Sequence, residues 1–453
     1  MQASLPAARI RSVTLPAREM HLLAYLKTGP TANHMGAWRH PDSELRDILD
    51  PGRYEHIARV LEAGRFDGCF FADGLGLHDI YKGGFQTRLE LGGQISFLDP
   101  MMVLPLMARV TRHLGIGTTL STTFHQPYNL ARMLASLDIL SKGRVAWNIV
   151  TSTRNEEARN FGMPELPPRD LRYDMADEVV EACCALWDCW GEDSLVMDKE
   201  RGVMVDAAKV RYADYEGKWY RTRGPLTMPR SPQGRPVLMQ AGSSPRGRDF
   251  AARWAEMIFC PQHTKADMLS FYADMHARMA AKGRDPRACV IMPQIEVVIG
   301  ETEAIAEEKA RYLESLVDPE LVLAAQSSAL GVDLNTKVAD VATAAEARGS
   351  QGMQGSMDRL RSVMEKDGIS FGEAIRRSHR DLIYGTPAGI ADQMQDLFES
   401  RACDGFVVSQ MIFPTSLEGF CRTVVPELQR RGLFRREYRG ATLRENLQAT
   451  PHG

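Results

Sequence analysis

Cysteine is sparse in this 453-residue chain. Its eight residues include no Cys-x-x-Cys pair, so neither a disulfide framework nor a thiolate zinc site is expected to organise the fold. Five of the eight lie in apolar runs, where cysteine behaves as a small hydrophobe, which fits reduced thiols and a cytoplasmic protein. No apolar stretch approaches the roughly 18 uninterrupted residues of a membrane span. Residues 1–19 lack an apolar segment ahead of a cleavage site and read as an N-terminal arm. A charge excess of one sign is also missing. The 55 Lys+Arg stand against 58 Asp+Glu, a net −3, which gives no global field toward nucleic acid or an anionic membrane. Neither His-x-His nor His-Glu-x-x-His occurs, which argues against the common metal-hydrolase designs and leaves no expected metal site.

What is present is an alternation. Short β-branched or aromatic runs recur at Met20–Leu26, Phe66–Asp73, Leu114–Thr122, Arg144–Ser152, Pro236–Ser244, Ala255–Cys260, Val290–Ile299 and Gly405–Met411. Between them lie segments of helical period, such as Arg53–Arg65, Pro127–Leu140, Tyr173–Trp190, Ala266–Lys282 and Pro387–Ser400. Near-continuous apolar strands between amphipathic helices imply a parallel sheet covered on its faces. An open doubly wound sheet and a closed barrel both satisfy that pattern. Eight strands favour the barrel, as does the run Lys27-Thr28-Gly29-Pro30 where a dinucleotide fold would carry glycine-rich phosphate turns. The expected fold is an α/β, (β/α)8 TIM barrel over residues 20–447, followed by a tail at 448–453. Insertions at about 191–235 and 318–384 are expected over its C-terminal face. An oligomer interface is the alternative use for the second.

Barrel enzymes work at the C-terminal ends of their strands, so those residues are the candidates. Asp73 follows a buried apolar run, where a carboxylate needs a donor or a cavity mouth; a turn or helix cap is its plain structural alternative. Thr119 lies among five hydroxyls at the end of the third strand. Asn148 sits inside Val145-Ala146-Trp147-Asn148-Ile149-Val150. A buried amide must find partners, and its donor and acceptor together suit the edge of a polar heterocycle as well as they suit backbone. In Gln240-Ala241-Gly242-Ser243-Ser244-Pro245-Arg246-Gly247-Arg248 a strand ends in a Gly-Ser turn that opens a helix. Its N–H groups, hydroxyls and nearby arginines would form a phosphate site. His34, His40 and His125 stand in strand-end loops.

Several ordered motifs carry a resemblance: Gly36-Ala37-Trp38-Arg39-His40-Pro41, Gly143 through Ser152, Ala158-Arg159-Asn160-Phe161-Gly162, Arg172-Tyr173-Asp174, the Gln240–Arg248 run, and Glu437-Tyr438-Arg439-Gly440. Together they resemble the flavin-dependent monooxygenases of the bacterial luciferase superfamily, in the branch of the nitrilotriacetate, dibenzothiophene-sulfone and long-chain-alkane enzymes. The resemblance implies a barrel that takes FMN as FMNH2 from a separate NAD(P)H:FMN reductase and uses O2 on a small organic substrate. It places Asp73, Thr119, Asn148, Val150, Tyr173, Ser243 and Ser244 at the cofactor, with Tyr173 and the Ser243–Ser244 turn at the phosphate. Relatives carry His four residues before the motif tyrosine. Arg169 stands there in this chain and can pair with phosphate bidentately. Asn148 and Thr119 would serve the reacting edge of the ring, and His34 and His125 would position substrate or move protons. A deazaflavin-dependent dehydrogenase of the same superfamily and a catalytically silent flavin-binding protein remain alternatives. The substrate stays open: in the loop 78–94, Lys82 and Arg88 suit an anion, while Phe85, Leu89 and Leu91 suit an apolar group. Outer helices rich in Met, Leu and Ala point to a homodimer or homotetramer.

Overall fold

The computed structural model describes residues 18–260, 262, 264–335, 368 and 382–448. Residues 1–17 of the arm, most of the second insertion and residues 449–453 of the tail lie outside the described residues. All eight expected strands form, β7 with its expected bounds and the others shortened at one or both ends: β1 (His21–Leu26), β2 (Gly68–Phe71), β3 (Gly115–Ser121), β4 (Val145–Val150), β5 (Val237–Gln240), β6 (Met257–Cys260), β7 (Val290–Ile299) and β8 (Gly405–Ser409). Every neighbour pair is parallel. The ring closes because β6 pairs with β7 and β8 pairs with β1, with His21 opposite Gly405 and Met257 opposite Val290. A short strand, Leu382–Gly385, adds to the far end of β7.

Side chains alternate across the barrel wall with the period of two that a strand imposes. Leu23, Tyr25, Phe70, Ala146, Val237, Met239, Met257, Met292 and Val407 pack together inside. Leu22, Ala24, Phe71, Ile116, Trp147, Ile149 and Phe406 face the helices. Glycine on β3 makes room for this interior. A Cβ at Gly117 would come within 2.8 Å of Phe70 Cβ, and one at Gly115 within 2.6 Å of the Leu443 side chain. Leu443 and Leu447 belong to the short C-terminal helix, which closes the N-terminal end of the barrel. The same end holds a buried ion cluster, where Asp67 accepts from the Leu22 N–H and pairs with His21 and Arg435.

Helix starts follow a repeated local rule. Asp50-Pro51, Asp99-Pro100, Ser244-Pro245, Asp318-Pro319 and Thr386-Pro387 each place a capping oxygen before a proline in the first turn. The oxygen satisfies an orphan N–H, and proline lacks the N–H that would go unpaired there.

The insertions part company with the expectation. The helix Pro319–Leu330 does lie toward the C-terminal face. Its residue Glu320 and the following Asp333 hold Lys82, in the loop after β2. Segment 191–235 lies elsewhere. Tyr215 bonds Glu181 and residues 218–220 bond Glu178, on the flank of the helix Arg169–Trp187. Gln233 reaches the carbonyl of Val145, at the start of β4. The reason is topological: this segment follows its helix and precedes β5, and helix-to-strand connections run to the N-terminal rim.

Candidate active site

Three neighbouring strands carry the first group. On β3 and β4 Thr119 and Asn148 are register partners, both inward-facing and buried. The Asn148 amide donates to Thr119 Oγ1 at 2.9 Å, and the Thr119 hydroxyl donates to the Phe71 carbonyl at 2.9 Å. Asn148 is 5 % exposed, yet its Oδ1 has no hydrogen-bond partner among the described residues. Leaving such an acceptor unmet costs about 1–3 kcal/mol, so an amide oxygen held here is poised for a ligand donor. Val150 ends β4 half-buried, and its carbonyl accepts from the Thr122 N–H and hydroxyl. Just beyond it Ser152 is held at φ 57°, with its hydroxyl 3.0 Å from Ser121 Oγ. A non-glycine residue in the left-handed region stores strain of the kind found at functional sites.

The second group lies where β5 runs into the helix Pro245–Trp254. Ser244 caps that helix, its hydroxyl accepting from the Gly247 N–H at 3.1 Å, and it hydrogen-bonds Tyr173. Burial raises the Tyr173 phenol above its ordinary pKa, against the pull of Arg172, Arg169 and Arg246, so it stays a neutral donor. A Cβ at Gly242 would stand 2.8 Å from Tyr173 Oη and 2.3 Å from Gln240 Nε2, and one at Gly247 would stand 2.8 Å from the same Oη. The two glycines therefore let the turn backbone close on the Tyr173 hydroxyl and the Gln240 amide, and this cradle of a helix N-terminus, two hydroxyls and an amide fits a phosphate. Arg169 begins the helix that carries Tyr173, one turn earlier.

The two arginines expected beside the phosphate are paired with carboxylates. Arg246 pairs with Asp174 and Asp177, at 2.9 and 2.6 Å, and Arg248 pairs with Asp274 at 2.8 Å. Their guanidinium groups are taken by carboxylates on neighbouring helices, a competition that local sequence does not reveal. Arg248 keeps one link to the turn, donating to the Ser243 carbonyl at 2.8 Å.

Beside β1 and β2 a cavity of about 400 Å3 opens at the C-terminal face, bordered by Lys27, Asp73, His78, Arg88, Gln94 and Arg154, with Phe85, Leu89, Ile95 and Leu98 as apolar wall. Asp73 follows β2, two residues past its end, and is a cavity wall. Burial pushes its carboxyl above the usual carboxylate value, partly offset by the Ser96 and Gly74 hydrogen bonds. Burial, then Arg154 and Arg88, bring the Lys27 ammonium down to about 7. Burial and the same cations, with Lys27, push the His78 imidazole far below its ordinary value, so His78 is neutral, and its Nδ1 has no partner. Of the loop residues expected to shape the substrate site, Arg88, Phe85 and Leu89 line this cavity. Lys82 turns to Glu320 instead, and Leu91 is not among the lining residues.

His34 is buried in the loop after β1, its Nε2 3.5 Å from Glu314 Oε1. His125 follows β3, half-buried with its ring edge toward Phe161, and burial lowers its pKa. Neither borders the cavity. Lys27, His78 and Arg154 are the cavity residues that motif reading passed over. For Lys27 a signal existed: it continues the inward parity of Leu23 and Tyr25, so a lysine was due at the barrel mouth.

Among the described residues, no group of three or more His, Cys, Asp or Glu could hold a metal ion, and no helix is long and apolar enough to cross a membrane. The family model for luciferase-like monooxygenases matches residues 31–404. The chain is 43 % identical over 441 residues to a dibenzothiophene-sulfone monooxygenase of Rhodococcus erythropolis (strain XP), covering 95 % of this chain and 96 % of the relative. The crystal structure of a long-chain alkane monooxygenase superposes with a TM-score of 0.86 at 34 % identity, covering 96 % and 97 % of the two chains. A riboflavin lyase solved with modified FMN and riboflavin gives the same TM-score at 31 % identity, over 96 % of each chain. With the eight-stranded barrel and its strand-end polar residues, these matches place the chain in the luciferase-like monooxygenase family.

Proposed function

We propose that the chain is the oxygenase component of a two-component system, in which a separate NAD(P)H:FMN reductase delivers FMNH2 and O2 is spent on hydroxylating or cleaving a small organic substrate at a C–S, C–N or C–H bond. The observation that carries this reading is the pair of ligand-shaped defects on one arc of the barrel rim: the unmet Oδ1 of Asn148 and the glycine-lined cradle at Tyr173 and Ser244. They match the two polar ends of a flavin mononucleotide. A relative, the riboflavin lyase, was solved with a modified FMN.

When bound, reduced FMN supplies the electrons that activate O2. The chain's own residues do the rest. Tyr173, Ser243, Ser244 and Arg169 hold the phosphate end, and the buried Tyr173 phenol donates as a neutral group. Asn148, itself held by Thr119, would hold the polar edge of the ring, and Val150 and Asp73 would help bind it. The closed interior of Leu23, Tyr25, Phe70 and Met239 keeps bulk water from beneath the site, so that polar contacts there act in a low dielectric. His34 and His125 are assigned to substrate positioning or proton movement from the loops above; full coupled turnover by both His34→Ala and His125→Ala removes them from that role. Copies of the chain are expected to pair through exposed apolar surface such as Leu195, Met197 and Met204, which sedimentation checks.

The test of the function is O2 consumption coupled to product from dibenzothiophene sulfone and related sulfones and amines. Turnover is expected with prereduced FMN, or with NADH, FMN and an added reductase. Coupled turnover from NADH and FMN without any reductase would contradict the two-component reading.

A further inference from the structure

The cavity beside β1 and β2 has more positive charge than its own carboxylates can use. Arg88 is 6 % exposed. Its guanidinium forms no hydrogen bond or ion pair with any described residue, and it borders the open space. Lys27, which also lines the cavity, is likewise without a hydrogen-bonding or ion-paired partner among the described residues. Among the described residues Arg154 pairs only with Glu157, at 3.6 Å. The acids that face them are committed elsewhere. Asp73 accepts from the Gly74 N–H, Asp99 caps the helix at Met101, and Glu157 accepts from the Leu75 N–H. Glu156 is buried nearby with its carboxyl shifted toward the neutral form by that burial.

A buried guanidinium that meets no acceptor is costly, and five fixed donors in a planar fork suit one class of group above others, an oxyanion bound side-on. The remaining wall, Phe85, Leu89, Ile95 and Leu98, is apolar. We propose that this monooxygenase acts on a substrate that carries an oxyanion, a carboxylate or a sulfonate, docked on Arg88 and Lys27, with its apolar part against Phe85 and Leu89. The assignment rests on the monooxygenase reading and names the substrate class of the same site. The oxyanion is distinct from the cofactor phosphate, whose cradle follows β5, three strands around the ring from β2.

The experiment measures binding to the FMN-loaded protein by titration calorimetry, with three matched probes: diphenyl sulfone, 4-(phenylsulfonyl)benzoate and 4-(phenylsulfonyl)benzenesulfonate. At least one anion is expected to bind about 10-fold or more tighter than the neutral sulfone. Arg88→Leu should weaken that anion roughly 10- to 100-fold, the range of a charge-assisted bond lost, and leave diphenyl sulfone within about twofold. Arg88→Lys should recover part of the loss, since charge survives and the fork does not. If Arg88→Leu does not fold, Arg88→Lys and a salt titration of the wild type carry the same information, the anion weakening with added NaCl and the sulfone not. Equal affinity for all three probes, or an anion affinity indifferent to both Arg88 variants and to salt, overturns the proposal. FMN affinity is recorded on the same samples: a protein that binds the anion but not FMN fails the functional reading and leaves this one standing.

Discussion

Gly242→Ala isolates the cradle. Gly242 does not sit in the left-handed region, so alanine meets no backbone penalty, and any effect comes from the added methyl. That methyl would lie 2.3 Å from Gln240 Nε2 and 2.8 Å from Tyr173 Oη. The glutamine amide is the end of a flexible chain and can swing aside. The tyrosine hydroxyl ends a rigid ring packed against Phe250, with centroids 5.6 Å apart, so it moves only if the ring or the turn moves. One hydrogen bond to a phosphate dianion is worth about 1.5–3 kcal/mol, and losing it weakens FMN roughly 10- to 150-fold. Riboflavin, which lacks the phosphate, supplies the control. Fluorescence titration of both flavins should show FMN weakened over that range and riboflavin changed by less than about threefold, with the thermal midpoint retained. Equal losses for FMN and riboflavin, or no loss for FMN, would refute the placement of the phosphate at this cradle.

Asn148→Leu removes the amide but keeps its bulk; because Thr119 retains its bond to Phe71, the protein should stay folded, with stability within about 1 kcal/mol of wild type, while product formed per reduced FMN falls at least about tenfold. Asp67→Asn strands the Arg435 charge in the barrel floor and should cost about 3–5 kcal/mol in urea unfolding. Burial would raise the Asp67 carboxyl, but Arg435, His21 and the Leu22 N–H together hold it below its ordinary value. Its contribution is therefore complete above the unfolded value of about 3.9 and lost as pH falls through the lower folded value, so the variant should unfold in acid with a shallower pH dependence. Lys27, held at about 7, gives the opposite window. Between pH 10 and 7 the unfolded chain binds the proton that the folded one refuses, so stability drops as pH falls across it. Lys27→Met should remove that drop, its advantage over wild type growing from pH 9 to pH 7 by about 1 kcal/mol or more; urea midpoints at the two pH values check it.

Periodicity and end signals made the architecture legible. Near-continuous apolar runs mark strands buried on both sides, and Asp-Pro, Ser-Pro or Thr-Pro marks several helix starts, because cap and proline chemistry act within a few residues. Asn148 and Ser244 were legible for a related reason: an amide inside an apolar strand, and a serine at a strand-to-helix turn, are local anomalies. The fate of Arg246 and Arg248 was not local. Whether a guanidinium serves a ligand or a carboxylate depends on Asp174, Asp177 and Asp274, which lie one helix away and enter register only when the helices pack.

The sequence by itself determined eight inward-and-outward alternating strands, the helices between them and the polar residues that end β3, β4 and β5. Tertiary structure alone decided that Lys27, Arg88 and Arg154 meet around one cavity, that segment 191–235 lines the helix flank and N-terminal rim, and that Gly242 lets the turn backbone approach Tyr173. The division has one physical cause: hydrogen bonding and burial along a strand repeat every two residues and can be counted, whereas the charge and volume of a cavity are sums over chain segments that touch only after the ring has closed.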